Sequence, residues 1–328
     1  MRSGLFISIT IALLIPLAVS AQAISNVEAF SVSVNPQYPT PYSQASLSLL
    51  STTLDLTNAV MTVSVAKKEI YKGSVRPIDI PMGSAGNVVS VTVTVTSAGA
   101  NYSQSLSIQP QDVALIAEPI SSTPPLYPGK SLVPLEGDVR VVTIANLRGA
   151  KGQIIDSSAL SYAWTVDDTQ IANASGIGKQ AITVASPLQY RSRSVSVAIT
   201  SQDGSLVGGA SLSLTALDPS VRLYKNDPLL GILYDHALSG SYAISAAEDS
   251  LYAAPFSLPT TSGAPLLQWF LNGEVAQTGN AITLRPTGKG QGSASLSLIA
   301  SAGETARATE NLSLSFGAEK GGLGLFGL

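Results

Sequence analysis

Cysteine is absent from all 328 residues. That excludes disulfides, thiol nucleophiles and thiolate metal sites. Histidine occurs once, as His236. Only 12% of the residues are charged and 6% aromatic, and the formal net charge is −3, so the chain carries no basic footprint for nucleic acid. Beyond the first two dozen residues no hydrophobic run is long enough to cross a bilayer. The composition is filled instead by Ser, Thr, Val, Ala and Gly. That mixture suits sheets whose faces alternate small polar and β-branched side chains, and it suits long helices poorly. The 28 glycines and 19 prolines are scattered along the chain, as expected for many short strands joined by turns. Domains near 100 residues bury enough apolar surface to fold without staples, so the missing disulfides do not assign the chain to the cytosol.

Residues 1–23, MRSGLFISITIALLIPLAVSAQA, have the three parts of an export signal. Arg2 is the positive n-region, Leu5 to Val19 the apolar h-region, and Ala21-Gln22-Ala23 a small-residue cleavage site. Cleavage after Ala23 gives a mature chain starting at Ile24; cleavage after Ala21 is the other possibility. Pro16 fits a signal peptide better than an anchor. An uncleaved anchor is the alternative, since Leu5 to Ala21 approaches the lower length limit for spanning. Membrane contact is expected only in that case. The expected location is extracytoplasmic: secreted, cell-surface or periplasmic.

An internal repeat organises the rest. Val63-Ser64-Val65-Ala66-Lys67, Trp164-Thr165-Val166-Asp167-Asp168 and Trp269-Phe270-Leu271-Asn272-Gly273 recur about 100 residues apart, the size of one sandwich domain. The first and third residues of each are apolar, as on the inner face of a strand. Turn-formers follow, and Asn-Gly is the strongest short hairpin signal. Gly73, Gly176 and Gly279 then align ten to twelve residues on, before the near-identical Ala181-Ile182-Thr183-Val184 and Ala281-Ile282-Thr283-Leu284. Each copy closes with two alternating strands: Val88 to Thr96 and Tyr102 to Ile108, Ser194 to Thr200 and Ala210 to Leu217, Ser293 to Ala300 and Asn311 to Phe316.

The run Tyr162-Ala163-Trp164-Thr165-Val166-Asp167-Asp168 resembles the strand-and-turn signature of PKD domains and other bacterial immunoglobulin-like modules, and Leu267-Gln268-Trp269-Phe270-Leu271-Asn272-Gly273 is similar. Arg222-Leu223-Tyr224-Lys225-Asn226-Asp227-Pro228-Leu229 resembles module openings in uncharacterised bacterial envelope proteins. The first copy departs from the pattern, with Val63 where Trp is expected. The resemblance implies an all-β fold of three tandem immunoglobulin-like (PKD-like) β-sandwich modules behind the signal peptide, and surface display, adhesion or spacing rather than a reaction. The expected modules are 24–110, 111–217 and 218–317, followed by a Gly-rich apolar tail at 318–328. Gln109-Pro110-Gln111-Asp112 and Asp218-Pro219-Ser220 mark the junctions, and such short linkers restrict bending. The proline-rich stretch 118–134 reads as an irregular edge segment entering the second module.

Candidate chemistry is sparse. His236 has no second His, Cys or Gly-x-Ser-x-Gly elbow to work with, so neither a Ser-His-Asp triad nor a zinc site is expected. Two carboxylates suffice for a glycosidase, but Asp55, Asp79, Asp156, Asp167, Asp168, Asp203, Asp227, Asp235, Glu248 and Asp249 read mostly as turn residues. Asp167 and Asp168 with Asp156 or Asp203 lack the Asp-x-Asp-x-Asp run of a calcium loop. Trp164 and Trp269 could stack on sugars, yet both fall on inward strand positions. Leu258-Pro259-Thr260-Thr261-Ser262 resembles a sortase signal, but Ser replaces the final Gly and no hydrophobic segment follows. The sequons at Asn101, Asn173 and Asn311 are expected by chance in a Ser-rich chain. No catalytic, cofactor-binding or metal site is assigned. The expectation is a non-enzymatic adhesion or structural scaffold whose partner is a protein or glycan at the cell envelope; the alternative is an accessory subunit of an envelope machine such as a pilus or secretion apparatus.

Overall fold

A computed structural model describes residues 29–287 and 290–317. The expected leader at 1–23 and the tail at 318–328 lie outside the described residues. Among those described, no helix is long and apolar enough to cross a membrane. The structure is all-β, with two single-turn 3-10 segments at Ser157–Ala159 and Ala172–Ala174.

The first seven strands are β1 (Ser31–Asn35), β2 (Gln44–Leu50), β3 (Val60–Val65), β4 (Lys68–Ser74), β5 (Ile78–Pro81), β6 (Val89–Ser97) and β7 (Ala100–Ile108). They form two sheets, ordered β1-β2-β5 and β4-β3-β6-β7. The next eight are β8 (Asp112–Pro119), β9 (Asp138–Asn146), β10 (Ser161–Val166), β11 (Thr169–Gln170), β12 (Gly176–Ile177), β13 (Ala181–Ala185), β14 (Ser192–Thr200) and β15 (Val207–Thr215). Their sheets run β13-β9-β8 and β11-β10-β14-β15, with β12 also on β10. The last nine are β16 (Ser220–Asp227), β17 (Gly231–Ile232), β18 (Gly240–Ile244), β19 (Asp249–Phe256), β20 (Leu266–Leu271), β21 (Glu274–Thr278), β22 (Ala281–Leu284), β23 (Gly292–Ala302) and β24 (Ala306–Phe316). These build β17-β16-β19-β22 and β18-β24-β23-β20-β21, with β18 parallel to β24. The same seven-strand plan thus occurs three times: a sheet from the first, second and fifth positions faces a sheet from the rest, the immunoglobulin-like arrangement. The second copy adds the two-residue β12 before its fifth core strand, β13, and the third adds β17 and β18 between its first two core strands.

Alternation dictates which side chains face inward. In β6, Val91, Val93 and Val95 are fully buried while Thr92, Thr94 and Thr96 point outward. Three separate cores result, spanning Phe30 to Ile108, Val113 to Leu214 and Val221 to Leu314. Val63, Trp164 and Trp269 are each completely buried and pair with Val93, Val197 and Leu298 of the following long strand. The first copy therefore keeps the shared geometry with a smaller side chain.

The repeat extends to turn conformation. Ala66-Lys67, Asp167-Asp168 and Asn272-Gly273 all have positive φ at both residues, the mirror-image turn whose twist matches a hairpin. Asn-Gly adopts it at low cost; Ala-Lys adopts it because the flanking pairs Val65↔Lys68 and Val63↔Tyr71 hold it.

The aligned glycines keep one place in the pairing: Gly73 lies opposite Met61, Gly176 opposite Tyr162, and the Gly279 amide donates to the Leu267 carbonyl at 2.9 Å, although only Gly176 and Gly279 have positive φ. One expectation needs correction. The stretch 118–134 does not enter the second sandwich. It leaves it, after the edge strand β8, and runs against the third: Ser121 bridges Pro259, and the Ser122 amide donates to the Leu258 carbonyl at 2.7 Å.

Candidate functional site

Most residues that sequence reasoning weighed for chemistry are engaged in core packing, turn bonds or ion pairs, and the rest are exposed. The indole N–H groups of Trp164 and Trp269 donate to the carbonyls of Lys179 and Gly279, both at 2.8 Å, so neither ring is free to stack on a sugar. His236 is exposed in the connection between β17 and β18.

The carboxylates mostly serve turns. Asp156 accepts from the Ser158 amide and caps the first 3-10 turn. Asp167 accepts from the Ser194 amide and pairs with Arg193 at 2.9 Å. Asp203 accepts from the Ser201 and Ser205 hydroxyls and the Ser205 amide, which pull its pKa down to about 2. Asp55 and Asp227 are lowered by the same kind of bond, from the Thr57 amide and the Leu229 amide respectively. Asp156, Asp167 and Asp203 sit in three different turns, and no group of three or more metal-ligating side chains occurs among the described residues. Asp79 is an exposed strand residue of β5, and Asp168 and Asp235 are exposed at turns. Glu248 pairs with Arg285 at 2.6 Å on the surface.

Asp249 departs from the turn reading. It starts β19, is buried, and lies 3.5 Å from the Lys225 ammonium. The neighbouring Tyr242 phenol is pushed up to about 12, first by its own burial and then by the Asp249 charge. The Leu258-Pro259-Thr260-Thr261-Ser262 stretch is also structural: Leu258 is fully buried, and its amide donates to the Ser122 hydroxyl at 3.1 Å.

Two clefts lie where sandwiches meet. The first, about 650 Å³, lies between the Asn35–Thr40 loop and the outer face of β14 and β15. Tyr38 rests there against Gly209, where any side chain would collide with its ring and with the Val197 carbonyl. Gly208 is likewise covered by Gln111 and Val113. A Gly-Gly pair inside an alternating strand marks close approach of other groups, a signal that sequence reasoning passed over. The lining contains amides, hydroxyls and apolar groups, with Tyr38 its one titratable side chain, so it suits a neutral polar surface. The second cleft, about 290 Å³, is bounded by Glu136, Pro259, Thr261, Gly303 and Glu304 at the other junction. There Ser257, fully buried, donates to the carbonyls of Leu217 at 3.0 Å and Val133 at 3.2 Å.

No family model matches the chain, and no curated protein sequence matches it. Among solved structures it is similar to three N-terminal domains of the bacteriophage RB49 highly immunogenic outer capsid protein, at 15% identity over 89% of this chain and 100% of that one, TM-score 0.24. It is similar to the central fibronectin-III array of RIM-binding protein, at 9% identity over 87% and 95%, TM-score 0.30. Fibronectin(III)-like modules of Clostridium thermocellum CbhA match at 10% identity over 60% and 95%, TM-score 0.23. At such scores the fold assignment rests on the strand orders described above.

Proposed function

We propose that this chain is a non-enzymatic scaffold that works outside the cytoplasm, its three sandwiches presenting loops and sheet faces to a protein or glycan of the cell envelope. The observation that carries the reading is the junction of the second and third sandwiches. Ser122, Ser257 and Leu258 exchange buried hydrogen bonds there with Val133 and Leu217, so the two units are spaced by specific contacts and not by a free linker. Most of the carboxylates weighed for chemistry serve turns, caps and ion pairs, and both tryptophans serve cores. The location part rests on the leader-like residues 1–23.

Affinity capture from intact, cross-linked envelopes tests the proposal. A single protein or glycan recovered with the chain, and recovered equally by His236→Gln, supports a scaffold. Recovery of pilus or secretion-machine components as the partner converts the reading to an accessory subunit. A hydrolytic activity of the purified chain that His236→Gln abolishes would sink it.

A further inference from the structure

Strand β7 is the last strand of its sheet, paired with β6 on one side only. Of its two counterparts, β24 is covered by the parallel strand β18, and β15 is approached at its start by Gln111 and Val113. Among the described residues no strand pairs with the outer edge of β7. Exposed edges usually carry a charge, a proline or a bulge that blocks further pairing. β7 has none of these: Asn87 to Gln111 contains no charged residue, its only proline, Pro110, follows the strand, and the β6–β7 register is unbroken from Val89↔Ile108 to Ser97↔Ala100.

The Ala98-Gly99 turn fixes which backbone groups are free. A two-residue hairpin makes Ser97↔Ala100 a hydrogen-bonded pair, and such pairs alternate along the ladder. Ala100, Tyr102, Gln104, Leu106 and Ile108 therefore bond back to β6. Asn101, Ser103, Ser105 and Ser107 direct their amides and carbonyls to the open edge. On the inner row, Gln104 sits between Tyr102 and Leu106, and its side-chain Oε1 is buried without a hydrogen-bond partner. A polar atom left so is expensive, and calls for a partner group.

We infer that β7 pairs antiparallel with β7 of a second copy, about a two-fold axis through Gln104. The strand is self-complementary in that register. Ser103 faces Ser105 of the other copy in a hydrogen-bonded pair, and Asn101 faces Ser107, so every outward backbone group is used. Tyr102 falls opposite Leu106, an aromatic–aliphatic pair of the kind that stabilises sheets. The two Gln104 residues meet in a non-hydrogen-bonded pair, where side chains approach most closely, and their amides satisfy each other. No like charges are opposed. A cleft of about 350 Å³ bounded by Leu106, Ile108, Gln37 and Val207 lies at the end of β7 where the other copy's Ala98-Gly99 turn arrives. The contact is isologous and closes at two chains.

The absence of native cysteine makes the test clean. The purified chain is expected to show twice its monomer mass by light scattering at high concentration. Ser105→Pro removes an outward amide and the exposed Thr92–Ser105 hydroxyl contact while sparing the backbone ladder to β6, so it should be monomeric and still unfold cooperatively. On oxidation Gln104→Cys should form a covalent dimer and Asn101→Cys should not, because only residue 104 meets itself across the axis. A wild-type chain monomeric at every concentration overturns the proposal, as does a Ser105→Pro variant that stays dimeric. Equal cross-linking of the two cysteine variants also overturns it.

Discussion

The indole nitrogen of Trp164 donates to the carbonyl of Lys179 at 2.8 Å, and Trp269 repeats that bond on Gly279 at the same distance. Lys179 and Gly279 each stand two residues before the matching strands β13 and β22. The bond ties the centre of one sheet to the entry of the other, so each tryptophan fills its core and pins the crossover. Trp164→Ala should cost about 3–5 kcal/mol, the usual range for truncating a buried aromatic. Trp164→Phe should recover part of that, leaving the Lys179 carbonyl short of its donor. Calorimetry should show the loss in the transition of the second sandwich, with the third core little changed.

The first sandwich carries an avoidable cost at its Ala66-Lys67 turn. Asp167 and Asn272 occupy the position of Ala66, and their side-chain oxygens accept from the amides of Ser194 and Ser295, both at 2.9 Å. Ala66 makes only the backbone half of that contact, its amide donating to the Ser90 carbonyl at 2.9 Å. Ala66→Asn with Lys67→Gly supplies the missing acceptor and relieves two positive φ angles. Denaturant unfolding should show a gain of about 1 kcal/mol or somewhat more.

Asp203 sets an acid limit on the β14–β15 turn. Its folded pKa is held near 2 by the Ser201 and Ser205 hydroxyls, below its ordinary value of 3.8. A depressed carboxyl contributes stability that is fully present above the ordinary value and is lost as pH falls through about 2. Asp203→Asn should remove this dependence between about pH 4 and 2. Carboxyl chemical shifts followed by pH titration would check it: an Asp203 midpoint near 4 contradicts the bonding described.

At the junction of the second and third sandwiches, Ser257→Ala takes the hydroxyl from the Leu217 carbonyl, while the Val133 carbonyl keeps its bond from the Leu217 amide at 2.9 Å. A loss of about 1 kcal/mol is expected, with faster hydrogen exchange at the Leu217 and Leu258 amides. Unchanged exchange there would mean that the junction is not held by this hydroxyl.

The sandwiches were legible in sequence because period-2 alternation and turn chemistry are local signals. Val91, Val93 and Val95 against Thr92, Thr94 and Thr96 announce a half-buried strand without reference to the rest of the chain. Trp164 and Trp269 read as core for the same reason. Asp249 was misread because its environment is set by Lys225 and Tyr242, which the sequence places elsewhere. The strap at 118–134 was misdirected because prolines announce irregular backbone without saying which surface it lies on. The Tyr38–Gly209 contact and the open edge of β7 depend on which strands neighbour which, and alternation alone does not carry that information. Only the Gly208-Gly209 pair left a trace, as an interruption in an otherwise regular strand.

Cell fractionation combined with N-terminal sequencing tests the scaffold account most directly. The account predicts a chain recovered outside the cytoplasm that begins at Ile24 or within a few residues of it. A chain that begins at Met1 and stays in the cytosol would contradict it.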